Sequence, residues 1–139
     1  MTTHFIRDMT AHLKNTWQWD AWGFTKNWGN CTMSDIDGFV PFFAERKGQF
    51  LIVEMKHWDG TGDQPQINMG SGQAIALWEL SKQPNFTVML GYGDTSTRIV
   101  HAYEVWHDGG RWDGIQDFQE SLDQWFSQAS KGGVKEWIG

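Results

Sequence analysis

Cysteine is nearly missing from this chain: Cys31 stands alone, which excludes an intramolecular disulfide and any multi-cysteine metal site. Proline is scarce too, and Pro41, Pro65 and Pro84 fall where the residue pattern changes, so they punctuate the chain instead of filling a linker. No stretch approaches ~18 consecutive apolar residues, so neither a transmembrane helix nor a membrane partner is expected. The opening MTTHFIRDMTAHL carries charge where a secretion signal needs its apolar run, and the expected location is the cytoplasm. Low-complexity runs and internal repeats are absent. Basic residues are in deficit, with 11 Lys and Arg against 17 Asp and Glu and a net charge of −6. The deficit is uneven: residues 1–60 carry 6 basic and 7 acidic side chains (−1), residues 61–139 carry 5 and 10 (−5). Such a chain gains little from counterion release, which argues against tight sequence-independent binding along a phosphate backbone.

Aromatic residues are what the chain has in plenty. Ten Trp and nine Phe supply enough apolar area to offset chain entropy, so a folded chain is expected. The 139 residues fit one domain spanning 1–139, burying roughly two-thirds of the surface of the unfolded chain. Phe5, Met9, Leu13 and Trp17 recur at helical spacing near the start, and the Gly- and Asn-broken segment from Trp19 to Asn30 predicts irregular structure. Asp35 to Phe43 reads as a strand, Lys47-Gly48 as a turn, and Gln49 to Lys56 as a second strand. In that second strand Phe50, Leu51, Ile52 and Val53 are apolar on both faces, the pattern of a central strand. Residues 67–83 then read as a helix, with Ala74, Leu77 and Leu80 or Ser81 spaced at three and four. Phe86–Gly91 and Arg98–Trp106 read as two strands joined at Gly93-Asp94-Thr95. A Gly/Asp-rich stretch at 108–114 precedes a last helix with Phe118, Leu122, Trp125, Phe126 and Ala129 on one stripe. The expected class is α/β, a central mixed β-sheet flanked by helices.

Strand alternation brings the charged residues of the first two strands together. Asp35 and Asp37 point to one face of the first strand, and Glu54 and Lys56 share a face of the second. Placing Glu and Lys directly after four apolar residues of a central strand is costly unless they are paired or hold an ion. Two or three carboxylates with the backbone carbonyl of Met55 suit Mg²⁺, a hard cation that takes oxygen ligands and keeps several waters. An ion there can polarise a phosphate and activate a water. Lys56 can position that water or offset charge growing on the phosphate. Glu-x-Lys alone arises by chance about once in two chains of this length, so the weight rests on the joint pattern of acidic strand, hairpin, apolar strand and helix.

The stretch SDIDGFV, followed by VEMKHWDG, resembles the core of the PD-(D/E)xK nuclease superfamily. The likeness is greatest to the branch whose apolar strand ends in E-x-K-asparagine-tryptophan with a Gly following, here Glu54-Met55-Lys56-His57-Trp58-Asp59-Gly60. The resemblance covers about residues 34–83, with Gln73 standing where the family often has a Gln on the next helix. It implies a restriction-endonuclease-like core and a Mg²⁺- or Mn²⁺-dependent nuclease cutting DNA, of the small phage or mobile-element kind, at work in a bacterial host cell and able to act as a homodimer. It also implies Asp37 and Glu54 as metal ligands with the Met55 carbonyl, Lys56 as catalytic lysine, Gln73 as an auxiliary catalytic residue and Asp35 as a helper. The motif's proline is replaced, since Ser34-Asp35-Ile36-Asp37 stands there, and no Glu precedes Glu45, leaving Asp8 as the nearest acid in the first helix.

Other residues read more plainly. Asp37 with Gly38 also fits a turn, and Glu54 with Lys56 also fits a structural ion pair. His57 points away from Lys56, and His4, His12, His101 and His107 are expected to be structural, as is Cys31. Trp17, Trp78 and Trp125 belong to the core, while Trp19, Trp22 and Trp28 crowd just before the candidate site and cover the sheet or meet substrate. Asp113, Asp117, Glu120 and Asp123 read as an acidic stripe on the last helix. The competing expectation is a non-catalytic or inhibitory protein on the nuclease fold, with its acidic half and its tryptophans serving an interface.

Overall fold

The computed structural model of the chain describes residues 21–29, 36–44 and 47–134. The chain divides into two compact units, Met1–Asp35 and Ile36–Gly139. Of the first, residues 21–29 form successive turns, with Gly23 and Gly29 at positive φ. The expected first helix, Asp8, Asp35 and Cys31 lie outside the described residues.

The second unit is an α/β structure, a five-stranded mixed sheet with one helix on each face. Its elements are β1 (Gly38–Ala44), β2 (Lys47–His57), α1 (Gly72–Ser81), β3 (Phe86–Asp94), β4 (Ile99–His107), β5 (Gly110–Asp113) and α2 (Phe118–Ser130). The strands lie side by side in chain order. β1/β2, β3/β4 and β4/β5 are antiparallel, and β2/β3 is parallel. A parallel neighbour needs a long crossover, and the residues between β2 and β3 supply it through α1.

Strand alternation sorts the core into two layers. Leu51, Met89, Tyr103 and Val105 face α2 through Trp125 and Ala129. Ile52, Val88, Leu90, Tyr92 and Trp106 face α1 through Leu77. β3 is covered on both sides, as its unbroken apolar run requires. Gly91 keeps this central strand open to its neighbour, because a Cβ there would stand 2.6 Å from the Met55 sulfur. No helix among the described residues is long and apolar enough to cross a membrane.

Several boundaries differ from the sequence expectation. Lys47-Gly48 is the start of β2, not a turn. α1 begins at Gly72, not at 67, because Ser71 caps it by accepting the Ala74 N–H at 3.2 Å. Gly93 and Asp94 remain in β3, and the turn falls at 95–98, with Arg98 at positive φ. The stretch 108–114 contains a fifth strand that was not expected. Asp108 and Gly109 both take positive φ, the requirement of a two-residue hairpin turn, and return the chain as β5. Asp113 therefore belongs to β5 and not to an acidic helical stripe, while Asp117 caps α2 by accepting the Gln119 N–H at 3.1 Å.

Candidate active site

Asp37 and Glu54 meet at the end of the β1/β2 hairpin. The last pair of the register is Gly38 with Val53, so Asp37, the residue before β1, comes beside the end of β2 where Glu54 stands on the α1 face, and its charge acts on Glu54. Asp37 is fixed there by its own backbone neighbour across the hairpin: its Oδ2 accepts the Met55 N–H at 2.8 Å. Glu54 is buried, with 6 % of its surface exposed, and its Oε2 has no hydrogen-bond partner. Burial pushes the Glu54 carboxyl up from its ordinary value, and the negative charge of Asp37 pushes it further; Lys56 opposes this more weakly. A buried carboxylate set against another carboxylate, with an oxygen unsatisfied, is an arrangement that favours the binding of a proton or a cation.

Lys56 continues along the same face of β2. Its ammonium donates to the Gln73 side-chain oxygen at 3.4 Å, from the second residue of α1. Glu54 and Lys56 therefore do not form a simple closed pair: neither Oε2 of Glu54 nor the Lys56 ammonium is consumed by a salt bridge between them. The structure brings together Asp37, Glu54, Met55, Lys56 and Gln73. Asp35, the expected helper, lies outside the described residues. Among the described residues no set of three or more Asp, Glu, His and Cys converges, so the acidic contact is a pair.

His57 lies exposed on the opposite face from Lys56. Of the remaining histidines, His101 packs edge-on against Trp58, with ring centroids 5.9 Å apart. His107 is buried between strand and tail, its Nε2 at 2.9 Å from the Val134 carbonyl and its Nδ1 at 3.1 Å from both the Phe86 carbonyl and the Thr87 hydroxyl. Trp125 is core, and Trp78 packs edge-on against Trp106.

A second buried acid went unnoticed in the sequence. Glu104 stands on β4 opposite Leu90, which in turn stands opposite Glu54, so the two glutamates flank one leucine on the α1 face. Arg111 of β5 grips Glu104 with two donors, Nε at 2.5 Å and an amino nitrogen at 3.1 Å, and the Trp106 indole N–H adds a third at 2.6 Å. This holds the Arg111 guanidinium above its ordinary range, the Glu104 bond being the largest cause. A polar cleft of about 340 Å³ opens beside the pair, lined by Gln64, Gln66, Arg111 and Asp113 among others and by none of the residues around Glu54. The signal that could have found this site is the acid inside AYEVW followed by Asp-Gly, which fixes a hairpin and carries Arg111 back beside Glu104.

Comparison of the chain with protein-family models, with curated proteins and with solved structures gives no match.

Proposed function

We propose that this chain is a metal-dependent phosphodiesterase acting on nucleic acid, built on a restriction-endonuclease-like core of the PD-(D/E)xK kind. The observation that carries the proposal is the Asp37–Glu54 pair, with its buried and unsatisfied Glu54 oxygen, set one step from a lysine on the same face. The donor set fits Mg²⁺ or Mn²⁺, which commonly take one or two carboxylates and keep water in the remaining positions. Asp37 and Glu54 would hold the ion. The Met55 carbonyl would join them, because a strand residue's N–H and C=O point to the same edge and the Met55 N–H already points to Asp37. When bound, the ion supplies Lewis-acid polarisation of a phosphate and activation of water.

The chain's own residues supply the rest. Glu54 must be ionised to take a cation, and its carboxyl is raised by burial and by Asp37, so loading is favoured as pH rises through its titration. Lys56 presents a positive charge toward a phosphate held at the pair, where negative charge grows during displacement. Gln73 steers that ammonium through its side-chain oxygen and leaves the lysine its remaining donors.

The test is cleavage of single-stranded, duplex and branched DNA and of RNA, with Mg²⁺ or Mn²⁺ and with EDTA. Metal-dependent cutting is expected, with Glu54→Gln and Lys56→Ala each lowering the rate by about 10²–10³. Cutting that persists in both variants removes the proposed site. No cutting of any substrate, together with no heat of metal binding, leaves a nuclease-like scaffold used for binding alone.

A further inference from the structure

The α1 face of the β1/β2 hairpin does not end at the carboxylates. Phe39 and Phe43 of β1 stand on this face, since both rings pack against Phe50 of β2. The Phe39 and Phe50 rings are stacked nearly parallel, with 5° between their planes and centroids at 5.9 Å, and Phe50 stacks in turn on Phe86 at 4.9 Å. The inner rings are held by this stack, yet Phe39 is 52 % and Phe43 is 65 % exposed. Gly48 makes the arrangement possible: a Cβ there would stand 2.9 Å from both the Phe43 and the Phe50 ring. By contrast, Phe42, on the other face, is packed edge-on against Phe126 of α2.

Resting on the proposed nuclease reading, we infer that Phe39 and Phe43 form a stacking platform that guides an unpaired nucleic-acid strand to the Asp37–Glu54 pair. Bases inside a duplex have their faces covered by their neighbours, so only an unpaired base can lie flat on an exposed phenyl ring. The charge of this face selects the same occupant. Among the residues that β1 and β2 present on it, Lys56 is the one cation, and the chain as a whole is at −6, too few positive charges to track a duplex backbone. Base stacking needs no such charge. The platform starts two residues from Asp37, so a strand lying on it delivers its phosphates to the carboxylate pair.

The test separates binding from cutting. Fluorescence anisotropy in EDTA measures the full chain against a labelled oligodeoxyadenylate and against the same strand annealed to its complement. The single strand is expected to bind more tightly and with a shallow dependence on salt. Phe39→Leu and Phe43→Leu keep the apolar bulk but lose the ring face, and each is expected to weaken single-strand binding by about 5- to 100-fold. Phe43→Trp enlarges the ring face and is expected to tighten it, which keeps the proposal exposed to failure even if a leucine variant does not fold. Duplex binding as tight as single-strand binding, leucine variants that bind like wild type, or a tryptophan variant that binds more weakly each overturn the platform. So does a dimer in sedimentation that Phe43→Leu dissociates, because the patch then belongs to a second copy of the chain. Single-strand binding without cutting in Mg²⁺ or Mn²⁺ defeats the nuclease reading and leaves the platform standing. Cutting that is indifferent to both leucine variants does the opposite.

Discussion

Glu54 and Glu104 are a natural pair for comparison. Both are glutamates in apolar strands, both face α1 from either side of Leu90, and both are 6 % exposed. Their partners differ in sign. Glu104 receives two donors from Arg111 and one from Trp106, so its charge is matched where it stands. Glu54 faces Asp37 and keeps one oxygen unsatisfied, so its charge is a liability until something cationic arrives. Burial of an acid inside a strand is thus no signature of chemistry by itself. The charge of the group that the carboxylate meets separates the two: Glu104 is gripped by the Arg111 guanidinium, although Asp113 is its partner in the ladder, whereas Glu54 meets a second carboxylate.

The sharpest way to break this contrast is to remove the positive partner. Arg111→Leu should cost about 3 kcal/mol of stability, the lower end for breaking a buried pair because the guanidinium reaches solvent. Glu104→Leu in the same chain should recover most of that loss, measured by urea denaturation. If Arg111→Leu is neutral, Glu104 is not the satisfied acid the contrast requires. Next in size is stabilisation by metal. At a Mg²⁺ concentration about a hundredfold above its dissociation constant, wild type should gain about 2.7 kcal/mol, and Asp37→Asn and Glu54→Gln should each lose this gain. Thermal melting with and without the ion measures it, and a gain that survives intact in both variants removes the carboxylate pair as the binding site.

A smaller effect is expected from Glu54→Gln in the metal-free protein. The native carboxyl holds its proton to higher pH than the ordinary value of 4.5, so between that value and the raised one the folded chain binds more protons than the unfolded chain. Stability therefore falls as pH rises through this window and stays lowered above it. Gln removes the penalty, and the variant should match wild type in acid and equal or exceed it at neutral pH by about 1 kcal/mol or less, read from melts across pH. Loss of stability at neutral pH would mean instead that Glu54 serves Lys56 as a structural partner. The least effect belongs to Gln73→Ala, which releases a long 3.4 Å bond and should change stability by about 0.5 kcal/mol or less while lowering activity more than stability.

The sheet, its two covering helices and the residues around Glu54 were legible because each left a periodic trace. Phe50 to Val53 is apolar on both faces, and alternation alone placed Glu54 and Lys56 together and, across the hairpin, with Asp37. Gln73 was found through resemblance, and its helix does bring it to Lys56. The fifth strand was not legible as a strand, because four residues carry too little alternation and the neighbouring glycines mask it. With β5 unseen, Arg111 had no address, and Glu104 could not be told from any other acid. The exposed rings of Phe39 and Phe43 were hidden for a related reason: an apolar strand residue looks the same in sequence whether a helix covers it or solvent does.

The sheet holds the two carboxylates unequally. Glu54 belongs to β2, bonded on both sides, whereas Asp37 directly precedes β1, which among the described residues pairs with β2 alone. Edge strands fray at low free-energy cost, so each local opening of β1 carries Asp37 away while Glu54 stays in place. An ion bridging the two would act as a clasp on that opening. Its signature is amide hydrogen exchange slowed along Gly38–Ala44 and left unchanged in β3, a protection pattern that reads out occupancy of the site without any substrate.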